Sequence, residues 1–201
     1  MTENMDLSAF HWLNPPRHFS IDGGALTLTT DPGKDFWQRT YYGFRHDDAH
    51  AFLTPVGETE FSFTVQAQWA PSKLFDQCGV MLYQDSDNWF KASVEYENER
   101  FSRLGSVVTN LGYSDWATSD ISSAQTTMTY RLSRRGQDFL IENAADGLHF
   151  QQMRIFHMHQ PMEQVNIGVY ACSPLDSSIQ ALFSGFMLGP CAWELFTNPD
   201  S

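Results

Sequence analysis

The stretch "DQCGVMLYQDSDNWFKASVEYEN", Asp76 to Asn98, holds two runs of alternating apolar and polar residues joined by Asp85-Ser86-Asp87-Asn88. The even positions Cys78, Val80 and Leu82 are apolar in the first run, and Phe90, Ala92, Val94 and Tyr96 in the second. Residues opposite one another in an antiparallel pair face the same side, so both apolar rows share one core only if the connection has an odd number of residues. A five-residue loop, Gln84 to Asn88, sets Tyr83 opposite Trp89 and Gln77 opposite Glu95; a three-residue loop, Ser86 to Asn88, sets Gly79 opposite Glu95. In either register a second face carries Lys91, Ser93 and Glu95, with Met81, Tyr83 and Trp89 near its end. The expectation is a hairpin with its even row buried between two sheets and its odd row open to a groove.

The same alternation recurs along the chain. "FSFTVQAQWA" places Phe61, Phe63, Val65, Ala67 and Trp69 on one face and Ser62, Thr64, Gln66 and Gln68 on the other, the mark of a half-buried strand. "ALTLTT", "GSVVTN", "MTYRLSRRG", "VNIGVYACS" and "IQALFSGFML" follow the same rule. "DFLIEN" runs through Asp146-Gly147 into "LHFQQMRIFHM" as a further hairpin. Gly, Pro, Asn and Asp separate the runs, and no segment keeps a helical repeat for more than a turn or two. The pattern predicts an all-β fold: a sandwich or jelly roll of two antiparallel sheets with about a dozen strands. Residues 1–201 read as one domain, with no repeat or linker and with "FTNPDS" as a frayed end.

Charge and composition exclude several roles. With 24 acidic against 12 basic residues and a net charge of -12, the chain repels a phosphate backbone, so nucleic acid is not an expected partner. "MTENMDLSAF" lacks a basic and an apolar region, and no run of about 18 apolar residues occurs, so neither a signal peptide nor a membrane span is expected and the cytoplasm is the predicted compartment. Cys78, Cys172 and Cys191 are odd in number and widely spaced, which fits buried thiols rather than disulfides or a zinc knuckle.

Glu95, Glu97 and Glu99 alternate at the end of the second run, which in a continuous strand gives three carboxylates on one face. A retaining glycosidase needs two carboxyls about 5 to 5.5 Å apart, a separation that Glu95 and Glu97 can reach. A row of this kind is also the ordinary wet side of an antiparallel sheet. Carboxylate, amide and ammonium groups beside flat rings suit a sugar, with its hydroxyls and its apolar ring face. Metal and cofactor signals are absent. "DSDN" lacks the Gly and Glu that complete an EF-hand, His157 and His159 have no evident third ligand, and no Gly-rich phosphate loop or nucleophile elbow occurs.

The central hairpin together with "SVVTNLGYSDWAT" resembles a bacterial and fungal family of concanavalin A-like jelly-roll proteins described as "regulation of enolase". The likeness extends from about Phe10 to about Phe186 through "LNPPRHFSIDGGALTLTT", "DFWQRTYYGF", "YRLSRRGQDF" and "GVYACSP". Its most specific part is Trp89-x-Lys91-x-x-x-Glu95 with Ser114-Asp115-Trp116 some twenty residues on. The resemblance implies a concanavalin A-like sandwich and places Glu97 and Glu99 at the strand's end, leaving Glu95 as the carboxylate held within the sheet face. It also draws the block Asp35, Phe36 and Trp37, and Asp115 and Trp116 of "YSDW", which lie in matching stretches, toward a groove centred on Gln77, Lys91 and Glu95. Arg131, on the polar row of "TYRLS", is a further candidate that either meets the ligand or holds Glu95 or Asp115 in place. Three functions follow as expectations: a binder of a carbohydrate-like small molecule without a cofactor, a glycoside-active enzyme using Glu95, and a scaffold for a protein partner.

Overall fold

The computed structural model describes residues 2–195 and Thr197. In chain order its strands begin with β1 (Glu3–Asn4), β2 (His11–Leu13), β3 (His18–Asp22), β4 (Ala25–Thr29), β5 (Phe36–Gln38) and β6 (Arg45–Asp47). β7 (His50–Val56), β8 (Glu60–Trp69), β9 (Gln77–Asp85), β10 (Asn88–Tyr96), β11 (Phe101–Asn110) and β12 (Tyr113–Ser122) follow. The last are β13 (Thr127–Arg135), β14 (Asp138–Ala144), β15 (Gln151–His157), β16 (Val165–Cys172) and β17 (Gln180–Gly189). The strands exceed the expected dozen because β1, β2, β5 and β6 are only two or three residues long, too short for alternation to register.

One sheet runs β15-β14-β13-β8-β17-β4-β3 with β1 added beside β17, and the other runs β12-β11-β10-β9-β16-β7-β2. All named ladders are antiparallel, which gives the expected jelly-roll sandwich. β5 and β6 pair only with each other, as a separate ribbon. Among the described residues no helix is long and apolar enough to cross a membrane. Most of the tail "FTNPDS" lies outside the described residues.

The core lies between the sheets. Phe61, Phe63, Val65, Ala67 and Trp69 of β8 contribute one side, and Cys78, Val80, Leu82, Phe90, Ala92 and Val94 the other. Full burial of each large apolar side chain contributes about 1.5–3 kcal/mol. Phe90 stacks on Phe156 at 4.2 Å, and Phe156 on Phe139 at 5.3 Å, which joins β10 to strands of the opposite sheet. Tyr96, expected in this row, is only half-buried at the strand's end.

The central hairpin adopts the register of the five-residue loop, Tyr83 opposite Trp89 and Gln77 opposite Glu95, by another route. Asp85 pairs with Asn88 around a two-residue turn, and a bulge that leaves Gln84 as the extra residue restores the odd parity. Asp85 Oδ1 accepts from the Asp87 amide and from Asn88 Nδ2, both at 2.9 Å, so the acidic run is spent on the turn.

The outer face of the β9–β10 pair is not the open surface that its polar row suggested. Met81, Trp89, Val107, Tyr170 and Cys172 on that face pack with Phe36, Trp37, Ala49, Ala51 and Leu53 as a second hydrophobic cluster. The β5–β6 ribbon is the roof over it. The Gln38 amide donates to Ser114 Oγ at 2.9 Å, Tyr83 donates to Asp47 Oδ2 at 2.9 Å, and Arg45 pairs with Asp87 at 2.6 Å. Alternation says which side chains share a face; it does not say what covers them.

Candidate functional site

Beside this second cluster the roof leaves the Lys91–Glu95 part of β10 and the facing part of β11 uncovered, and a pocket of about 340 Å³ opens there. Its floor carries Gln77, Lys91, Ser93 and Glu95. Trp37, Tyr42 and Phe44 come from the roof and Trp116 from β12, while Phe75 and Leu175 close the remaining side from two loops. The rings form a connected wall: Trp37 meets Trp116 edge-on at 6.5 Å and Tyr42 at 5.4 Å, and Tyr42 stacks on Phe44 at 5.5 Å. Gly105 lets the wall close, because a Cβ there would lie 2.9 Å from Trp116 Nε1.

The floor is a chain of satisfied polar groups that ends in an unsatisfied one. Gln77 Oε1 accepts from Tyr170 at 2.8 Å and from Ser93 at 3.4 Å. Gln77 Nε2 donates to the Phe75 carbonyl at 3.1 Å and to Glu95 Oε2 at 2.7 Å. The amide is thereby fully committed, and it fixes the direction of the Glu95 carboxyl. Glu95 Oε1 has no hydrogen-bond partner among the described residues.

Lys91 is only 5% exposed and donates to Asp35 Oδ1 at 3.2 Å, with its ammonium 5.5 Å from the centre of the Tyr170 ring. Burial works against its charge, and Asp35, with help from Cys172 and Glu95, more than offsets this and raises the ammonium above its ordinary value. Asp35 Oδ1 also accepts from the Phe36 amide at 2.7 Å, and the Asp35 amide donates to Asp48 at 3.2 Å, which anchors the start of the roof. Burial pushes the Glu95 carboxyl up to about 7; Lys91 opposes the shift, Asp35 and Glu97 add to it, and the Gln77 bond opposes it. A carboxyl that ionises near neutrality and keeps one oxygen free can accept from a hydroxyl when charged and donate when protonated.

Of the residues singled out in the sequence, the fold brings Gln77, Lys91, Glu95, Trp37 and Trp116 to this pocket. Asp115 and Arg131 lie elsewhere. Asp115 precedes Trp116 on β12 and points to the opposite face, where Arg154 holds it at 2.8 Å. Arg131 stands on β13 in the other sheet, bound to Glu142 at 2.7 and 2.9 Å and stacked 3.9 Å over the Phe150 ring. Glu97 follows the end of β10 and pairs with Arg103, and Glu99 is exposed beyond it, so the three acids form no single row. The pocket also contains residues outside the expected set. Arg103 was within reach of the register, since it sits directly opposite Glu95 on the next strand. Asp35 arrives with Trp37 from the stretch the resemblance drew to the groove, whereas Tyr42 and Phe44 were not expected; all come from the roof, whose return over this face has no local sequence signal. Among the described residues no three His, Cys, Asp or Glu side chains gather to ligate a metal.

The model of the family described as Protein of unknown function (DUF1349) matches residues 12–191. "Regulation of enolase protein 1" of Saccharomyces cerevisiae is 30% identical over 187 residues, which cover 93% of this chain and 92% of the yeast protein. A crystal structure of a functionally unknown protein from Saccharomyces cerevisiae superposes with a TM-score of 0.86 at 29% identity, covering 92% of this chain and 98% of that one. The GH43 BlXynB protein from Bacillus licheniformis matches at TM-score 0.69 and 16% identity, covering 95% of this chain and 38% of that one, a likeness of fold alone.

Proposed function

The chain belongs to the DUF1349 family of proteins of unknown function, and we propose that this member binds a carbohydrate-like, polyhydroxylated small molecule in the pocket over β10 and β11. The observation that carries this reading is the free Oε1 of Glu95, held in a fixed direction by Gln77 and facing a wall of rings. A purely structural network would occupy both carboxylate oxygens. Lys91, Ser93 and Arg103 supply donors around the same space, and the Trp37 and Trp116 rings that line it offer apolar surface for one side of a sugar ring. The test is thermal-shift screening against mono- and oligosaccharides, followed by calorimetry on Glu95→Gln. The variant is expected to fold and to bind a hit at least tenfold more weakly, about 1.4 kcal/mol. Unchanged affinity in the folded variant would place the ligand elsewhere.

A second reading, glycoside hydrolysis, is favoured by the Glu95 carboxyl at about 7, since a group poised near neutrality suits a general acid, and Asp35 brings a second carboxylate to the same pocket. Turnover of aryl glycosides that disappears in folded Glu95→Gln would support it over simple binding.

A further inference from the structure

The charges around the pocket are matched in pairs with one left over. The Lys91 ammonium has the Asp35 carboxylate at 3.2 Å. The Arg103 guanidinium has Glu97, and it lies 5.8 Å from the centres of both the Phe101 and Trp116 rings. The carboxyl of Glu95 has no cation at ion-pair distance: its one hydrogen bond is from the neutral amide of Gln77, and Lys91, engaged with Asp35, acts on it from farther off. From this pairing, and from the aromatic rings of Trp37, Tyr42, Phe44 and Trp116 that line the pocket, we infer that the site selects a ligand with a protonated amine on a hydroxylated ring, an amino sugar in chemical class, over neutral or anionic sugars of the same shape. The inference rests on the reading of the pocket as a sugar site and adds the ligand's charge to it.

A ligand ammonium would pair with the unmatched carboxylate in a shielded place, where ion pairs are stronger than at a surface. Aromatic rings attract cations through their quadrupole, and Trp37, Tyr42, Phe44, Phe75 and Trp116 all line this pocket. A phosphate or uronate would instead enter against Glu95, on a chain of net charge -12, with both nearby cations already neutralised.

A proton signature follows. Burial sets the Glu95 carboxyl near neutrality, with Lys91 on the same strand opposing it, Asp35 from the roof and Glu97 after the strand's end adding to it, and the Gln77 bond opposing it. Arg103 on β11 and His46 on β6 are the other charged or titratable side chains that line the pocket, while Tyr170 and Cys172 on β16 stay neutral over this range. A cation requires the ionised form, so its binding expels the proton that the empty site partly retains. Affinity for an amine should therefore rise roughly tenfold from pH 6 to pH 8, as the ionised fraction goes from about one tenth to about nine tenths. A neutral sugar has no such requirement.

The test uses sugars that differ at one position: glucose, 6-amino-6-deoxyglucose, glucuronate and glucose 6-phosphate, with glucosamine to move the amine. Calorimetry on the intact protein at pH 6, 7 and 8 is expected to give an amino sugar at least fivefold tighter than glucose at pH 7, with both anions weaker than glucose. The affinity of 6-amino-6-deoxyglucose, an alkylamine that stays largely protonated to pH 8, should increase with pH, and calorimetry in buffers of different ionisation enthalpy should record the released proton. Glucosamine, whose 2-amine begins to lose its own proton in this range, is compared at pH 6 and 7 only. In Glu95→Gln the amine preference should vanish. Equal binding of glucose and the amino sugars, or tightest binding of an anion, overturns the charge selection while leaving a sugar site in place. Failure of every sugar to bind overturns the sugar reading and this inference with it. The wild-type pH series needs no variant and decides the matter even if Glu95→Gln folds poorly.

Discussion

Replacing Glu95 with Gln is expected to stabilise the protein at pH 8 and to change little at pH 4.5. In the folded chain, burial holds the Glu95 carboxyl at about 7 against an ordinary 4.5. The unfolded chain ionises at the ordinary value, so across that interval the unfolded state releases a proton that the folded state keeps, and folding becomes less favourable as pH rises. The contribution of Glu95 is thus fully retained below about pH 4.5, declines between 4.5 and 7, and is lost above 7. At roughly 1.4 kcal/mol per pH unit, the interval corresponds to about 3 kcal/mol. One carboxylate oxygen faces the open pocket, where solvent eases the strain, so the expected gain for Gln at pH 8 is about 1.5–3 kcal/mol. The substitution keeps an acceptor for Gln77 Nε2, which now donates to Glu95 Oε2 at 2.7 Å, so the floor network persists. Urea unfolding of both proteins at pH 4.5, 6, 7 and 8 gives the difference directly, because every other titrating group is common to the pair. In thermal melts it corresponds to roughly 4–10 °C for a chain of this size. A difference that stays flat from pH 4.5 to pH 8, or a Gln variant less stable at pH 8, would refute the assignment of Glu95 as a strained acid.

Val94→Asp places a charge in the sandwich core, where Val94 is wholly buried, and should cost about 4 kcal/mol or more, visible as loss of cooperative urea unfolding. Gly79→Ala sets a Cβ 1.9 Å from the Ala92 carbonyl oxygen and should destabilise by about 2–3 kcal/mol in the same assay. Gly105→Val pushes against the Trp116 indole, so tryptophan emission should change and affinity for any ligand of the pocket should fall about tenfold by calorimetry. Glu99→Gln, exposed beyond the end of β10, should leave stability within about 0.5 kcal/mol and binding unchanged.

The sandwich was legible because its strands alternate strictly. Parity alone paired Gln77 with Glu95, and the structure keeps that pairing although it makes the turn differently. Parity also carried a warning that the "YSDW" reading ignored: adjacent residues on a strand face opposite ways, so Asp115 and Trp116 never shared a pocket. Arg131 shows the complementary weakness, since alternation assigns a residue to a face but not to one sheet or the other. The roof was illegible for a further reason. Asp35 meets Lys91 across 56 positions of sequence, and the short β5 and β6 carry no period of their own. A polar row with Lys91 and Glu95 on it therefore looked wet, when its other end lay beneath Phe36 and Trp37 of the roof.

The separation of the roof cluster from the sandwich core has an evolutionary consequence. No residue belongs to both clusters, and the connection between β5 and β6, where Arg39 and Tyr41 hold positive φ and Tyr41 is 93% exposed, touches the rest through few bonds. Substitutions at this tip are therefore expected to spare the scaffold while reshaping the pocket through Tyr42 and Phe44. If the pocket binds a ligand as proposed, a lineage could retune it by drifting through residues 39–44 without passing through misfolded intermediates. A randomised library at the tip should yield mostly folded variants with divergent binding, whereas an equal library on β10 should yield mostly unfolded ones.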